Sequence, residues 1–221
     1  MDARGNPTNL QQLDYALAHS LPVPDYLREL ERRTHLKTLA PQMMTDPLQG
    51  RLLAWLARLH RPRRVLEVGT FTGYAALCLA EGLPPDGELH TVDGNPETAW
   101  LARNAFAASP YAGRIHAHQG QALDVLPTLP GPWDLIYLDA DKLEYVAYFD
   151  LLRPRLAAGA LVLADNVLWD GKTADPAATE PKAAALRNYN ERLRADPKME
   201  VLLLPLRDGL SMARYRGGGE N

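Results

Sequence analysis

The chain has 221 residues, with 24 Lys and Arg against 27 Asp and Glu, for a formal net charge of −3. That balance offers no global attraction to nucleic acid or to an anionic membrane, and the length suits one well-buried domain or at most two small ones. The single cysteine, Cys78, excludes an internal disulfide framework and fits a reducing compartment, and its apolar run reads as a packed thiol. No stretch is apolar for long enough to span a membrane, and MDARGNPTNL lacks the apolar core of a signal peptide. A soluble, cytoplasmic protein is expected.

Residues 9–20 and 24–40 read as two helices, broken by Leu21-Pro22-Val23-Pro24 because proline neither donates nor tolerates a preceding helical residue. A third helix, 47–60, opens on Asp46-Pro47, an N-cap followed by an N1 proline. The pattern then alternates. VLEVG (65–69), ELHTVD (88–93), RIHAHQG (114–120), DLIYLD (134–139) and ALVLADN (160–166) read as strands, with helices over 73–82, 96–108, 121–128 and 142–157. Such alternation predicts a Rossmann-like α/β fold, a mostly parallel sheet with helices on both faces. After a helix over 180–195, VLLLPLR and LSMARYR flank Asp208-Gly209, a hairpin signal that predicts an antiparallel edge. No repeat or linker divides the chain. One domain over 1–221 is expected: N-terminal helices over 1–60, a sheet core over 61–216 and a disordered tail at 217–221.

Ligands in doubly wound folds sit beyond the carboxyl ends of the strands. After the first strand comes Glu67-Val68-Gly69-Thr70-Phe71-Thr72-Gly73, whose glycines permit a tight turn and a close approach to a ligand. The middle glycine of the dinucleotide fingerprint is absent. Glu67 would repel a pyrophosphate but welcome a positively charged ligand, such as the sulfonium and amine of S-adenosylmethionine. Asp93, ending the second strand, stands where an acid accepts ribose hydroxyls. Helix packing is the competing account of the glycine turn; Glu67, Gly69, Gly73 and Asp93 together point to a nucleoside.

Asp139 ends the fourth strand, and Asp165 with Asn166 ends the fifth. On neighbouring strands, about 4.8 Å apart, these groups converge. They then form a hard, all-oxygen partial shell suited to magnesium, manganese or calcium. Helix N-capping is the competing use of each acid, and of Asp141 above all. Lys142 follows Asp139 by three residues, in the first turn of the next helix. There the positive helix end and a nearby cation give it reason to lose its proton, a general-base environment. Elsewhere, His116 and His118 share a strand face, but no third ligand stands nearby and the pair reads as the polar face of an edge strand. Trp169 either walls an acceptor pocket or packs its loop on the core.

VLEVGTFTGYAALCLAEGLPPDGELHTVD, LIYLDADKLEYVAYFD, LVLADNVLWDG and LPLRDGLSMA resemble the cation-dependent O-methyltransferases, the family of the catechol and caffeoyl-coenzyme A enzymes. The resemblance runs from about residue 11 to Arg216. It implies a seven-stranded methyltransferase sheet, S-adenosylmethionine as donor, a divalent metal and a homodimer. By matching position it implies that Glu67, Gly69 and Thr70 line the methionine part of the donor, with Ala75 where a serine often stands. Asp93 would hold the ribose, Ala122 would border the adenine, and Thr45 would make a backbone contact in the segment closing over the donor. Asp139, Asp165 and Asn166 match the metal ligands and Lys142 the base. Leu48 and Arg51 depart from the acid and glutamine common at those positions.

The resulting expectation is an O-methyltransferase that uses S-adenosylmethionine and magnesium. Its acceptor would be a small aromatic with vicinal hydroxyls, of the catechol, hydroxycinnamate or flavonoid type. An NAD(P)-dependent oxidoreductase is opposed by Glu67 and the missing glycine. A non-catalytic binding module is opposed by the joint presence of Asp139, Lys142, Asp165 and Asn166. Methyl transfer to nucleic acid is opposed by the acidic balance and by the lack of an NPPY-type motif after the fourth strand. A serine hydrolase is opposed by the absence of G-x-S-x-G.

Overall fold

Prolines decide where the N-terminal helices begin and end. In the computed structural model, which describes residues 10–217, α1 spans Leu10–Ala18, α2 Asp25–Lys37 and α3 Pro47–His60. The Asp46 carboxylate accepts the Leu48 and Gln49 N–H groups at 2.9 and 3.3 Å, capping α3 as its sequence predicts. α2 stops at Lys37 rather than at 40. Thr38 turns into extended backbone and its hydroxyl donates to the Thr34 carbonyl at 2.8 Å, answering a helix-end carbonyl ahead of Pro41. The expected tail lies, apart from Gly217, outside the described residues, as does Asn9.

Seven strands follow: β1 (Arg64–Val68), β2 (Glu88–Asp93), β3 (Ile115–Gln119), β4 (Trp133–Leu138), β5 (Leu156–Asp165), β6 (Met199–Leu204) and β7 (Leu210–Tyr215). Between them stand α4 (Tyr74–Ala80), α5 (Pro96–Ala107), α6 (Ala122–Val125), α7 (Tyr145–Leu152) and α8 (Pro181–Ala195). They form one sheet in the order β3-β2-β1-β4-β5-β7-β6. β1 with β4, β4 with β5, and β2 with β3 are parallel, whereas β7 is antiparallel to both β5 and β6. The C-terminal hairpin therefore docks by its second strand and leaves β6 on the edge. β5 starts at Leu156, where the sequence reads as helix. Pro154 lies in a three-residue 3₁₀ turn, Arg153–Arg155, that ends the helical path.

The chain packs as two units. One comprises the N-terminal residues through Arg63 with Thr70–Gly120, the other Arg64–Gly69 with the residues from Gln121 onward. In the second, Leu135, Leu138 and Leu163 lie without solvent exposure beside Trp133, Tyr137, Tyr145 and Tyr189. Tyr145 meets Tyr189 edge-on, with ring centroids 5.4 Å apart. The first unit packs α3 against α4 around a buried charge. Arg51 donates to Glu81 Oε1 at 2.7 Å and Oε2 at 3.2 Å, and to Cys78 Sγ at 3.3 Å. Cys78 is thus a packed thiol. Side-chain exposure is 3% for Arg51 and 1% for Glu81, so this departure from the common glutamine is matched by an acid.

Removing one partner of a buried pair strands the other charge. Glu81→Ala should cost about 3–5 kcal/mol in urea denaturation. Arg58 also reaches Glu81, at 2.7 Å, but is 49% exposed. Arg58→Ala should therefore cost no more than about 1 kcal/mol.

Candidate functional site

The first unit gathers the groups after β2 around the 70–73 turn. Asp93, at the end of β2, accepts the Phe71 N–H on Oδ2 and the Asn95 N–H on Oδ1, each at 2.7 Å. The carboxylate is thereby fixed in orientation while keeping lone pairs for a further donor. The Thr70 hydroxyl meets that of Thr91. Gly73 sits at φ +91°, where a Cβ would lie 2.5 Å from the Phe106 ring, so the turn requires glycine. Thr70, Phe71 and Asp93 line a cleft together with Arg103, His118 and Gln119. Ala75 is buried in the first turn of α4, and Thr45 is buried directly before the α3 cap.

The second unit holds the acids. Glu67, in β1, has no solvent exposure. Gly69, at φ +102°, passes so close to β4 that a Cβ would lie 2.1 Å from the Asp139 carbonyl oxygen. Ala122 opens α6. Val68 pairs with Leu138, and Leu138 with Ala164, so Asp139 and Asp165 follow register partners at one end of the sheet. Lys142 is buried and donates to Asp139 Oδ1 at 2.8 Å. Burial pushes the Asp139 carboxyl up to about 6; Lys142 opposes that shift and the Asp165 charge adds to it. Asp165 accepts the Tyr137 hydroxyl at 3.2 Å and the Asn166 N–H at 2.8 Å. Asn166 itself is at φ +59°.

Asp141 caps the 3₁₀ turn at Lys142–Glu144, accepting the Leu143 N–H at 3.0 Å, the capping role expected of it above all. The structure brings Lys142 to Asp139 and Asp165 close enough to act on the Asp139 carboxyl, with Asn166 next to Asp165 in the chain. Sequence reasoning missed Asp208, beside the Asn166 side chain; burial pushes its carboxyl above the ordinary range, and the charges of Asp170 and Asp165 add to that. Its signal was absorbed by the Asp208-Gly209 turn. Trp169, at φ +48°, lies under the Lys182 ammonium, 5.2 Å from the ring centroid. His116 and His118 do lie on an edge strand. However, Glu88 and His90 of β2 join them, so the expected lack of a third nearby ligand is corrected. Those groups come from a strand 26 to 30 residues earlier in the chain.

The model of the O-methyltransferase family matches residues 18–216. The chain belongs to that family. A catechol O-methyltransferase of Niastella koreensis is 34% identical over 78% of this chain and 82% of its own. Caffeoyl-CoA O-methyltransferase 1 of Eucalyptus globulus is 32% identical over 93% of this chain and 90% of its own. Among solved structures, the SAH-bound methyltransferase PaMTH1 of Podospora anserina superposes with a TM-score of 0.86 at 31% identity, covering 95% of this chain and 97% of that one. In this O-methyltransferase the matched span takes in all seven strands and every candidate site residue from Thr45 to Asn166.

The close passage of β1 under β4 can be measured. Gly171 also has positive φ, +77°, but a Cβ there meets nothing within 4 Å. Gly171→Ala should cost about 1–2 kcal/mol, the left-handed penalty alone. Gly69→Ala should exceed it in urea denaturation, since backbone must also move.

Proposed function

We propose that this O-methyltransferase moves the methyl group of S-adenosylmethionine to a hydroxyl of a small aromatic with vicinal hydroxyls, with a divalent cation at Asp139, Asp165 and Asn166. The observation that carries the reading is the paired acids: two carboxylates close enough for one to raise the other's pKa, at the ends of adjacent parallel strands. Their repulsion favours a cation, and two carboxylates with an amide oxygen suit magnesium, with manganese or calcium next. Bound there, such an ion would supply Lewis acidity that lowers the pKa of the acceptor hydroxyl.

The chain's own residues do the rest. Asp93 accepts the ribose hydroxyls, and Glu67 complements the donor's positive charge. Gly69, Thr70, Gly73 and Ala75 let the backbone approach the methionine part, while Ala122 borders the adenine and Thr45 the covering segment of the N-terminal helices. Lys142 Nζ takes the acceptor's proton. The phenolate oxygen bonds to the methyl carbon as the carbon–sulfur bond breaks, and the electron pair leaves on sulfur, giving S-adenosylhomocysteine. Holding oxygen and methyl in line is worth up to about 7–11 kcal/mol. The 2.8 Å ion pair of Lys142 with Asp139 favours a second reading, in which Lys142 stays an ammonium and stabilises the phenolate by charge. The proposal includes a homodimer, and acceptors that are small molecules rather than nucleic acid, in keeping with the net charge of −3.

With a catechol as acceptor, EDTA should abolish S-adenosylhomocysteine release, and magnesium or manganese should restore it. Asp165→Asn should lower turnover at least about a hundredfold, as several kcal/mol of lost charge stabilisation implies. Full turnover in chelator, or in that variant, overturns the cation.

Lys142→Ala should lower turnover by about 10²–10⁴ while donor affinity, read by calorimetry, stays unchanged. Lys142→Arg separates the two readings, because it keeps the charge but cannot release a proton. An active arginine variant assigns Lys142 the electrostatic role; an inactive one assigns it the base.

A further inference from the structure

We propose that Glu88, His90 and His116 form a second cation site, for a borderline divalent ion of the zinc class, joining edge strand β3 to β2. The site follows from pleat and register. Residues two apart on a strand share a face, so Glu88 and His90 lie on one face of β2, and His116 and His118 on one face of β3. Parallel pairing sets His90 beside His116 and Val92 beside His118, which stacks the four groups on one side of the outer strands.

The ligand atoms of Glu88, His90 and His116 all lie within 4.8 Å of one another. Glu88 bridges the other two: Oε1 is 3.6 Å from His90 Nε2, and Oε2 is 3.7 Å from His116 Nε2. Tetrahedral zinc with bonds of about 2.0–2.1 Å spaces its ligand atoms about 3.3 Å apart. Small rotations of the two solvent-reaching side chains close that difference. Side-chain exposure falls from 44% at His116 and 32% at Glu88 to 9% at His90. The site is therefore anchored inside the protein and open on the other side, with room for water as fourth ligand.

His118 completes the arrangement from outside the ligand set. Its Nε2 lies 2.9 Å from His90 Nδ1 and the two rings are within 5° of parallel. A proton on Nδ1, donated to His118, would leave His90 Nε2, which lies toward Glu88, as the coordinating atom. Metal-ligating histidines habitually engage their other nitrogen in this way. Neutral imidazole is the form that coordinates. Two nitrogens and one carboxylate suit zinc, while the all-oxygen set at Asp139 suits magnesium. The two ligand sets share no residue.

The test is zinc binding by the full chain in excess magnesium, read by equilibrium dialysis with elemental analysis. Wild type should hold one more zinc than His116→Gln or Glu88→Gln, both at solvent-reaching positions. The two variants should bind that ion more than about 10–100-fold more weakly, the range for loss of an outer partner alone. His118→Gln should fall within that range. Zinc should also raise the thermal midpoint of wild type more than that of His116→Gln. Zinc stoichiometry and affinity unchanged in both ligand variants, or no zinc retained by wild type, overturns the site.

Discussion

The parallel ladder of β1, β4 and β5 is the constraint on which the acidic end of the molecule depends. Strands that run the same way finish on the same side, and each pairing sets which end residues become neighbours. The Asp139 N–H donates to the Val68 carbonyl at 2.8 Å, which ties the end of β4 to β1. The Leu138–Ala164 pairing then sets Asp165 next in line. Gly69 is the consequence in backbone terms, since a side chain there would strike the Asp139 carbonyl. Two carboxylates and a lysine thus share a partly dry volume for which none of their local sequences has a packing use.

The two proposed cation sets differ in side-chain chemistry. At the ends of β4 and β5 the donors are oxygens, oriented by Tyr137 and by backbone N–H groups. On β2 and β3 the donors are chiefly imidazoles, oriented by another imidazole. Affinity for a first-row ion follows donor type more than location. On the proposed assignments, magnesium and zinc would draw on different residues.

Burial gives the first unit a charge it must keep paired. Arg51 extends through the α3–α4 packing to Glu81, with Cys78 sulfur and the Pro22 carbonyl as further acceptors. A buried guanidinium is tolerated because its fork is matched by a carboxylate. This accounts for a residue that the sequence marked only as a departure from its relatives.

What the sequence determined by itself was local. Asp46-Pro47 starts α3 through a cap made within three residues, prolines close α1 and α2, and Asp208-Gly209 turns the last hairpin. The acids and glycines at the strand ends were legible because strand direction follows from the alternation of strand and helix. The boundary at 156 was not, because Ala157, Ala158 and Gly159 carry no periodicity, and pairing with β4 decides it. Tertiary structure alone seated β7 between β5 and β6, buried Arg51 against Glu81 and set Asp208 beside Asn166. It also set His90 and Glu88 against His116 and His118. Each of these joins residues well apart in the chain, and which ones meet is decided by sheet register and helix packing, quantities that no local window contains.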